Sequence, residues 1–238
     1  MAQVINTNVA ALFAGASLNK SALALQTAQQ RLSSGLRINS AKDDATGLGI
    51  ATGYDSQIRA ANMNIRNAND GISLAQTADG YLGQVTENTQ RLREIYVQTG
   101  AVTNSEAVAL LAENTRLSGL VVASVAVTVD SGGGTAGGNG AAFVSAGAYA
   151  SLAAFDTELT AITNARALFG ADMATLGSAV ATMQMASVNL SAAYSRVMDT
   201  DYAAETTSMT RNNILQQAGT AVLAQANQTP NTVLTLLR

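Results

Sequence analysis

The sequence has no cysteine, no histidine and no tryptophan, and a single proline, Pro230. Without cysteine there are no disulfides and no thiolate metal sites, which suits a chain that must travel unfolded and never be trapped by a cross-link. With histidine missing as well, the common nucleophilic triads and zinc centres are excluded, and nothing argues for an enzyme or for a cofactor. Aromatic residues make up 4% of the 238 and charged residues 12%. A chain so poor in rings and rich in Ala, Ser, Thr, Asn and Gln builds long helices packed through small side chains rather than an aromatic core. Its Lys and Arg are sparse and lie along Ala/Leu stretches, unlike the basic, aromatic-studded face of a nucleic-acid binder, so no nucleic-acid partner is expected. No apolar run approaches the ~18–20 residues that span a bilayer, so membrane insertion is not expected either. Met1–Asn19 carries no basic residue ahead of an apolar stretch, so no secretory signal is read there.

Acidic residues are missing from both ends. All 16 carboxylates lie between Asp43 and Glu205, leaving 1–42 and 206–238 without one. The first end reads as a helix from near Thr7 to Ser34, stopped by Gly35. It has two apolar stripes: Val4, Ala11, Leu18, Ala22, Leu25 and Leu32, and Ile5, Val9, Leu12, Ala16 and Leu23. The last segment, from about Thr200, reads as another helix with Leu215, Ala218, Val222 and Ala226 on one side, ending before Pro230. A helix apolar on more than one side cannot be satisfied alone in water. The ends therefore need each other and neighbouring molecules, the pattern of a subunit that polymerises. Ile5, Val9, Leu12 and Leu32 at one end, and Leu215, Val222, Leu234 and Leu237 at the other, are the expected assembly contacts.

Between the ends, "NSAKDDATGLGIATG" (39–53) reads as an ordered connector. A long helix from about Tyr54 to Thr99 follows, with Ile58, Ala61, Ile65, Ala68, Ile72, Ala75, Leu82, Val85, Leu92 and Ile95 on one side. Thr103-Asn104-Ser105-Glu106 fits a capping box that opens a short helix to about Ser118. The β-branched run 121–129, "SGGGTAGGNG" and "AAFVSAG" read as a strand, a turn and a return strand. From Leu152 to Val197 the spacing alternates three and four: Leu152, Phe155, Leu159, Ile162, Arg166, Phe169, Met173, Leu176, Val180, Met183, Ser187, Leu190, Tyr194, Val197. That is a coiled-coil seam over about six heptads, roughly 70 Å at ~1.5 Å per residue. The expected fold is mainly α: a long antiparallel helical bundle with a small β-hairpin at mid-chain. Its divisions are 1–42, 43–198 (with the hairpin and Gly-rich turn at 119–150) and 199–238.

Motifs that suggest chemistry resolve into structure. "GLGIATG" (47–53) has the wrong spacing for a dinucleotide loop and does not follow a strand. The glycines at 132–134 lack the Lys-Ser/Thr of a phosphate loop. The pairs Asp43/Asp44 and Asp199/Asp201 suit helix ends and connectors better than acid–base catalysis. Met173 and Met183 fall on the heptad seam, as core filler rather than a soft binding groove.

At both termini the sequence closely resembles bacterial flagellins, the filament subunits of the flagellum. The stretches that carry the likeness are "AQVINTN" (2–8), "RLSSGLRINSAKDDATGLGIA" (31–51), "RNANDGISLAQTADGYL" (66–82) and everything from Asp199 to Arg238. The large surface domains that commonly interrupt the family's chain are missing, replaced by roughly thirty residues around the Gly-rich turn. The resemblance implies an extracellular helical homopolymer used for motility, with an inner core made by the terminal helices and an outer core made by 43–198. It implies terminal segments that fold only when the subunit joins the filament. It also implies export in the unfolded state by the flagellar export apparatus, helped by a secretion chaperone, and contacts with hook-associated and cap proteins. A hook–filament junction protein of the same superfamily shares the "SSGLRI"-type segment and is the alternative; the C-terminal "QQAGTAVLAQANQTPNTVLTLLR" favours flagellin. A flagellin-borne metallopeptidase has neither room nor histidines here. Many flagellins are also recognised by an animal Toll-like receptor, through a motif that "TQRLREIYVQ" (89–98) matches at Gln90, Arg91, Arg93, Glu94 and Gln98. Thr89 and Ile95 replace leucines there, and Tyr96 is bulkier than usual. The receptor residues the likeness implies are Gln90, Arg91, Glu94, Ile95 and Gln98.

Overall fold

The computed structural model describes residues 7–121, 127–128, 135–138, 140, 149 and 151–235. The fold is mainly α. Its elements are α1 (Val9–Ser34), α2 (Ala45–Thr99), α3 (Ser105–Leu120), the short strands β1 (Val127–Thr128) and β2 (Thr135–Ala136), α4 (Leu152–Met198) and α5 (Tyr202–Thr235). Packing divides the chain into a terminal unit, Met1–Tyr54 with Ala192–Arg238, and a middle unit, Asp55–Ser191. The sequence-based divisions at 42/43 and 198/199 differ from these because the connector and the first turns of α2 pack with Met198: Ile38, Ala51 and Met198 form one buried cluster, flanked by Leu36, Leu48, Tyr194 and Val197.

In the middle unit the heptad pattern becomes a core. On α4, Phe155, Ile162, Phe169, Leu176 and Met183 recur every seven residues, and all are buried. On α2, Ala68, Ala75, Leu82 and Thr89 do the same, with Ala78 and Val85 between them and Leu92 just beyond. Leu117 and Val121, at the end of α3, join Ala75, Ala78, Leu82, Val85, Ile162 and Phe169 in one cluster. Fully burying each Leu, Ile or Phe contributes about 1.5–3 kcal/mol. Arg166, the charged member of the seam, stays half-exposed and closes a two-point ion pair with Asp79 of α2, at 2.7 and 3.4 Å. Polar groups sit in this core as well. Asn114 Nδ2 donates to Thr89 Oγ1 across α3 and α2 at 3.2 Å, Asp172 accepts the Gly140 amide at 2.8 Å, and Glu158 is buried.

Four expectations need correction. α2 begins at Ala45, inside the stretch read as a connector, because Asp44 caps it: its carboxylate accepts the Gly47 amide at 2.8 Å. Asp43 holds the preceding turn by accepting from Asn39 N, Ser40 N and Ser40 Oγ. α3 is capped by Asn104, whose side chain accepts the Ala107 amide at 2.7 Å, rather than by a Thr103–Glu106 box; Glu106 turns to Arg91 instead. The β-ladder pairs Val127 with Ala136 and Thr128 with Thr135 in antiparallel register, so its return strand lies within the stretch read as the turn. The return strand proposed at 141–147 lies outside the described residues. Finally, α5 runs through Pro230 to Thr235 instead of stopping before it.

Candidate functional site

The terminal unit pairs α1 with α5 in antiparallel order. Asn8 lies against Ala226, Leu18 against Gly219, Arg31 against Glu205 and Gly35 against Tyr202. On α1 the side turned inward carries Ala14, Leu25 and Ala28 buried, with Ala11, Leu18, Ala22 and Leu32 half-buried. This is the first stripe read in the sequence. The second stripe faces out: Val9 is 67% exposed, Leu12 65% and Leu23 65%, with Phe13 beside them at 75%.

On α5 the pattern is inverted. The half-buried side includes Glu205, Met209, Asn212, Gln216, Gly219, Leu223 and Ala226, and is largely polar or small. Ile214, Leu215 and Val222 are about half-exposed instead. The sequence reading put Leu215, Ala218, Val222 and Ala226 on one side; the first three are exposed and Ala226 belongs to the seam. Among the expected assembly residues, then, Val9, Leu12, Leu215 and Val222 stand on the outside, while Leu32 lies on the seam side. Ile5 and Leu237 fall outside the described residues, and Leu234 is placed only as part of α5. The sequence reading also missed Phe13 and Ile214, although both lie beside members of its stripes.

The second candidate surface is on α2. Arg91 donates through Nε to Glu106 of α3 at 2.8 Å and through Nη1 to Glu94 at 3.0 Å. Both carboxylates hold its guanidinium above the ordinary arginine pKa, Glu106 more than Glu94. Gln90, Glu94 and Gln98 line a concave surface of about 620 Å³ with Arg93, Val97, Asp156 and Leu159, and Arg93 meets Asp156 at 3.3 Å. Arg91 does not line that hollow and is joined to it through Glu94. Ile95, expected as a receptor contact, is instead 2% exposed and packs with Leu92, Ala107, Tyr149 and Phe155. Thr89 is buried too, in its bond with Asn114. Tyr96 is half-buried, its ring 5.6 Å from that of Phe155.

Two family descriptions cover most of the chain: the bacterial flagellin N-terminal helical region matches residues 5–122, and the bacterial flagellin C-terminal helical region matches 152–237. The chain belongs to the flagellin family. A flagellin of Xenorhabdus nematophila is 35% identical over an alignment that covers the whole of both chains. A flagellin of Halalkalibacterium halodurans is 36% identical over 99% of this chain and all of its own. A flagellin of Salmonella typhimurium is 56% identical over 106 residues, which are 44% of this chain and 21% of that one. As a flagellin the chain is a structural subunit of the extracellular flagellar filament and serves motility. The short length fits a member without the large variable surface domain, and the matches do not favour a junction protein.

Proposed function

We propose that the outward apolar residues of α1 and α5 are the surfaces on which one copy docks against the next, so that the terminal unit forms the inner layer of the filament. The observation that carries this reading is the inversion on α5. That helix turns Asn212, Gln216 and Gly219 toward its partner and leaves Ile214, Leu215 and Val222 outside. Such a face gains little from the intramolecular pair and much from a neighbour. At about 25 cal/mol per Å² of apolar surface, covering several Leu, Val and Phe side chains is worth several kcal/mol per contact. In the free chain the same balance favours loosened ends, which fold on joining the polymer. Loosened ends also suit export in the unfolded state, with a secretion chaperone covering the apolar residues and cap and hook-associated proteins meeting them at either end of the filament. Hydrogen exchange on monomer and on reassembled filaments tests this. Protection of α1 and α5 is expected only in the filament, and equal protection in both forms rejects the reading. Electron microscopy of the reassembled protein is expected to give long filaments.

A second partner is supported by the polar face of α2. Gln90, Arg91, Glu94 and Gln98 are exposed, and two of the three departures from the family's receptor pattern, Thr89 and Ile95, are buried and leave that face unaltered. We read this face as the contact for an animal Toll-like receptor, with Arg91 as its anchor, since a planar multi-donor guanidinium is enriched among interface hot spots. Arg91→Ala is expected to weaken receptor signalling by monomer at least about tenfold. An unchanged response in a reporter assay removes the assignment.

A further inference from the structure

The α1–α5 pair has an oddly poor seam. It buries three side chains on α1, two of them alanines, and it presents Asn212, Gln216 and Gly219 from α5. Small and polar residues at helical spacing fit one another almost as well after a slip of three or four residues as before it. Apart from the seat that Gly219 offers Leu18, apolar packing therefore does little to choose the alignment of these two helices, and other contacts must add to it.

Two polar features do, one at each end of the pair. At the far end, Pro230 sits inside α5. A proline has no backbone N–H, so the carbonyl four residues earlier, that of Ala226, loses its regular helical donor. Asn8 supplies one: its Nδ2 donates to the Ala226 carbonyl at 2.8 Å, while its Oδ1 caps α1 by accepting the Ala11 amide at 3.1 Å. One side chain thus closes the start of α1 and fills the gap that proline opens in α5. A slip of three or four residues would bring Asn8 to a carbonyl that already has its helical donor.

At the near end, the segments that enter and leave the pair bond to each other. Leu36 and Asp199 form an antiparallel bridge, in which Arg37 N donates to the Met198 carbonyl at 2.6 Å and Thr200 N to the Gly35 carbonyl at 3.0 Å. The Arg37 side chain adds a bond to the Val197 carbonyl at 2.8 Å. Gly35 ends α1 with φ 72°, a left-handed conformation that favours glycine, and a Cβ there would stand 3.0 Å from the Tyr202 hydroxyl.

We propose that these two polar pins, Asn8 with Pro230 and the 35–37/197–200 bridge, hold α1 and α5 in a single register, and that this register assembles the outward face on which a second copy docks. The proposal rests on the docking reading given above. Val9, Leu12 and Phe13 come from one helix and Ile214, Leu215 and Val222 from the other, so a slip breaks the composite face without removing any of its residues.

A cysteine-free chain makes the test clean. A Cβ on Gly219 would stand 3.9 Å from that of Leu18, within the usual disulfide span. The Leu18→Cys/Gly219→Cys protein, oxidised after purification, is expected to assemble as the wild type does. Asn8→Ala combined with Thr200→Pro removes a donor from each pin and is expected to raise the critical concentration for assembly at least tenfold, with the heat-induced unfolding of the middle unit unchanged. Adding the oxidised disulfide to that variant restores assembly, whereas a disulfide between Leu18→Cys and Leu223→Cys, which joins two seam-side positions in a register slipped by four residues, blocks it. Wild-type assembly by the Asn8→Ala/Thr200→Pro protein, or failure of the in-register disulfide to rescue it, overturns the proposal. Val222→Asp keeps the two ideas apart: if it assembles normally, the docking face itself is wrong, whatever the pins do.

Discussion

Two phenylalanines mark the difference between the two units. Phe169, in the middle of α4, is 0% exposed and joins Leu82, Val85, Leu117 and Ile162. Phe13, on α1, is 75% exposed. The largest fully buried side chains of the described residues, among them Phe155, Phe169, Leu82, Leu92 and Ile162, all belong to the middle unit. That unit closes a core of its own, since Phe155, Ile162, Phe169, Leu176 and Met183 are all buried within the same chain, although Leu152 at the end of the repeat stays exposed. The terminal unit leaves Val9, Leu12, Phe13, Ile214, Leu215 and Val222 exposed, the residues proposed above for docking. On the docking reading proposed above, stability and assembly belong to different parts of one chain.

The contrast is broken most directly by exchanging truncations. Phe169→Ala leaves a cavity in a closed core and is expected to cost about 3–5 kcal/mol, seen as a large fall in the melting temperature followed by circular dichroism. Phe13→Ala is expected to change monomer stability by less than about 0.5 kcal/mol while impairing polymerisation. If the two variants melt alike, the division of labour is not there.

A smaller effect probes why α3 sits where it does. Asn114→Ala removes the donor to Thr89 inside the core and is expected to cost about 1–3 kcal/mol, with faster amide exchange along α3. Replacing both partners with apolar residues of similar size, Thr89→Val with Asn114→Leu, should recover most of that loss. A double variant as unstable as the single one would mean that the pair serves packing shape rather than hydrogen bonding.

The smallest effect belongs to the connector of the terminal unit. The bond from the Ser40 hydroxyl, then those from the Asn39 and Ser40 amides, hold the Asp43 carboxyl below its usual value of 3.8. Because the folded pKa is the lower one, the contribution of Asp43 is present above about 3.8 and fades as pH falls through the folded value. Amide exchange at Asn39 and Ser40 is expected to quicken only in that acid window. Exchange that is flat across it would remove Asp43 as the organiser of the turn.

Much of the middle unit was legible in the sequence because every level agreed. Phe155, Ile162, Phe169, Leu176 and Met183 recur every seven residues, and α2 answers with its own repeat. Where the reading failed, a local signal met a stronger tertiary one. Glycines 47, 49 and 53 argued for a loop, at about 1 kcal/mol each against helix. The Asp44 cap and the packing of Leu48 and Ala51 against Ile38 and Met198 outweighed them. Pro230 argued for a helix end, yet α5 continues with Asn8 serving the carbonyl it leaves. On α5 the reading put Leu215, Ala218, Val222 and Ala226 on one side, but the first three are exposed and Ala226 lies on the seam, because α5 turns Asn212, Gln216 and Gly219 toward α1. On the polar face of α2, Gln90, Arg91, Glu94 and Gln98 are exposed, whereas Ile95, expected beside them from the motif, could be assigned to the core only once α3 and α4 were seen to cover it.

The repeat shared by α2 and α4 also limits how this chain can change in evolution. The two helices run antiparallel in one core, and Ala68, Ala75 and Leu82 keep the same seven-residue step as Ile162, Phe169 and Leu176. Deleting a single residue from either helix rotates every later position by about 100° and carries the core face toward water. Removing seven from α2 and seven from α4 together keeps both faces aligned. Length in this part of the molecule is therefore quantised, and matched gaps of one heptad are the deletions to look for in shorter relatives.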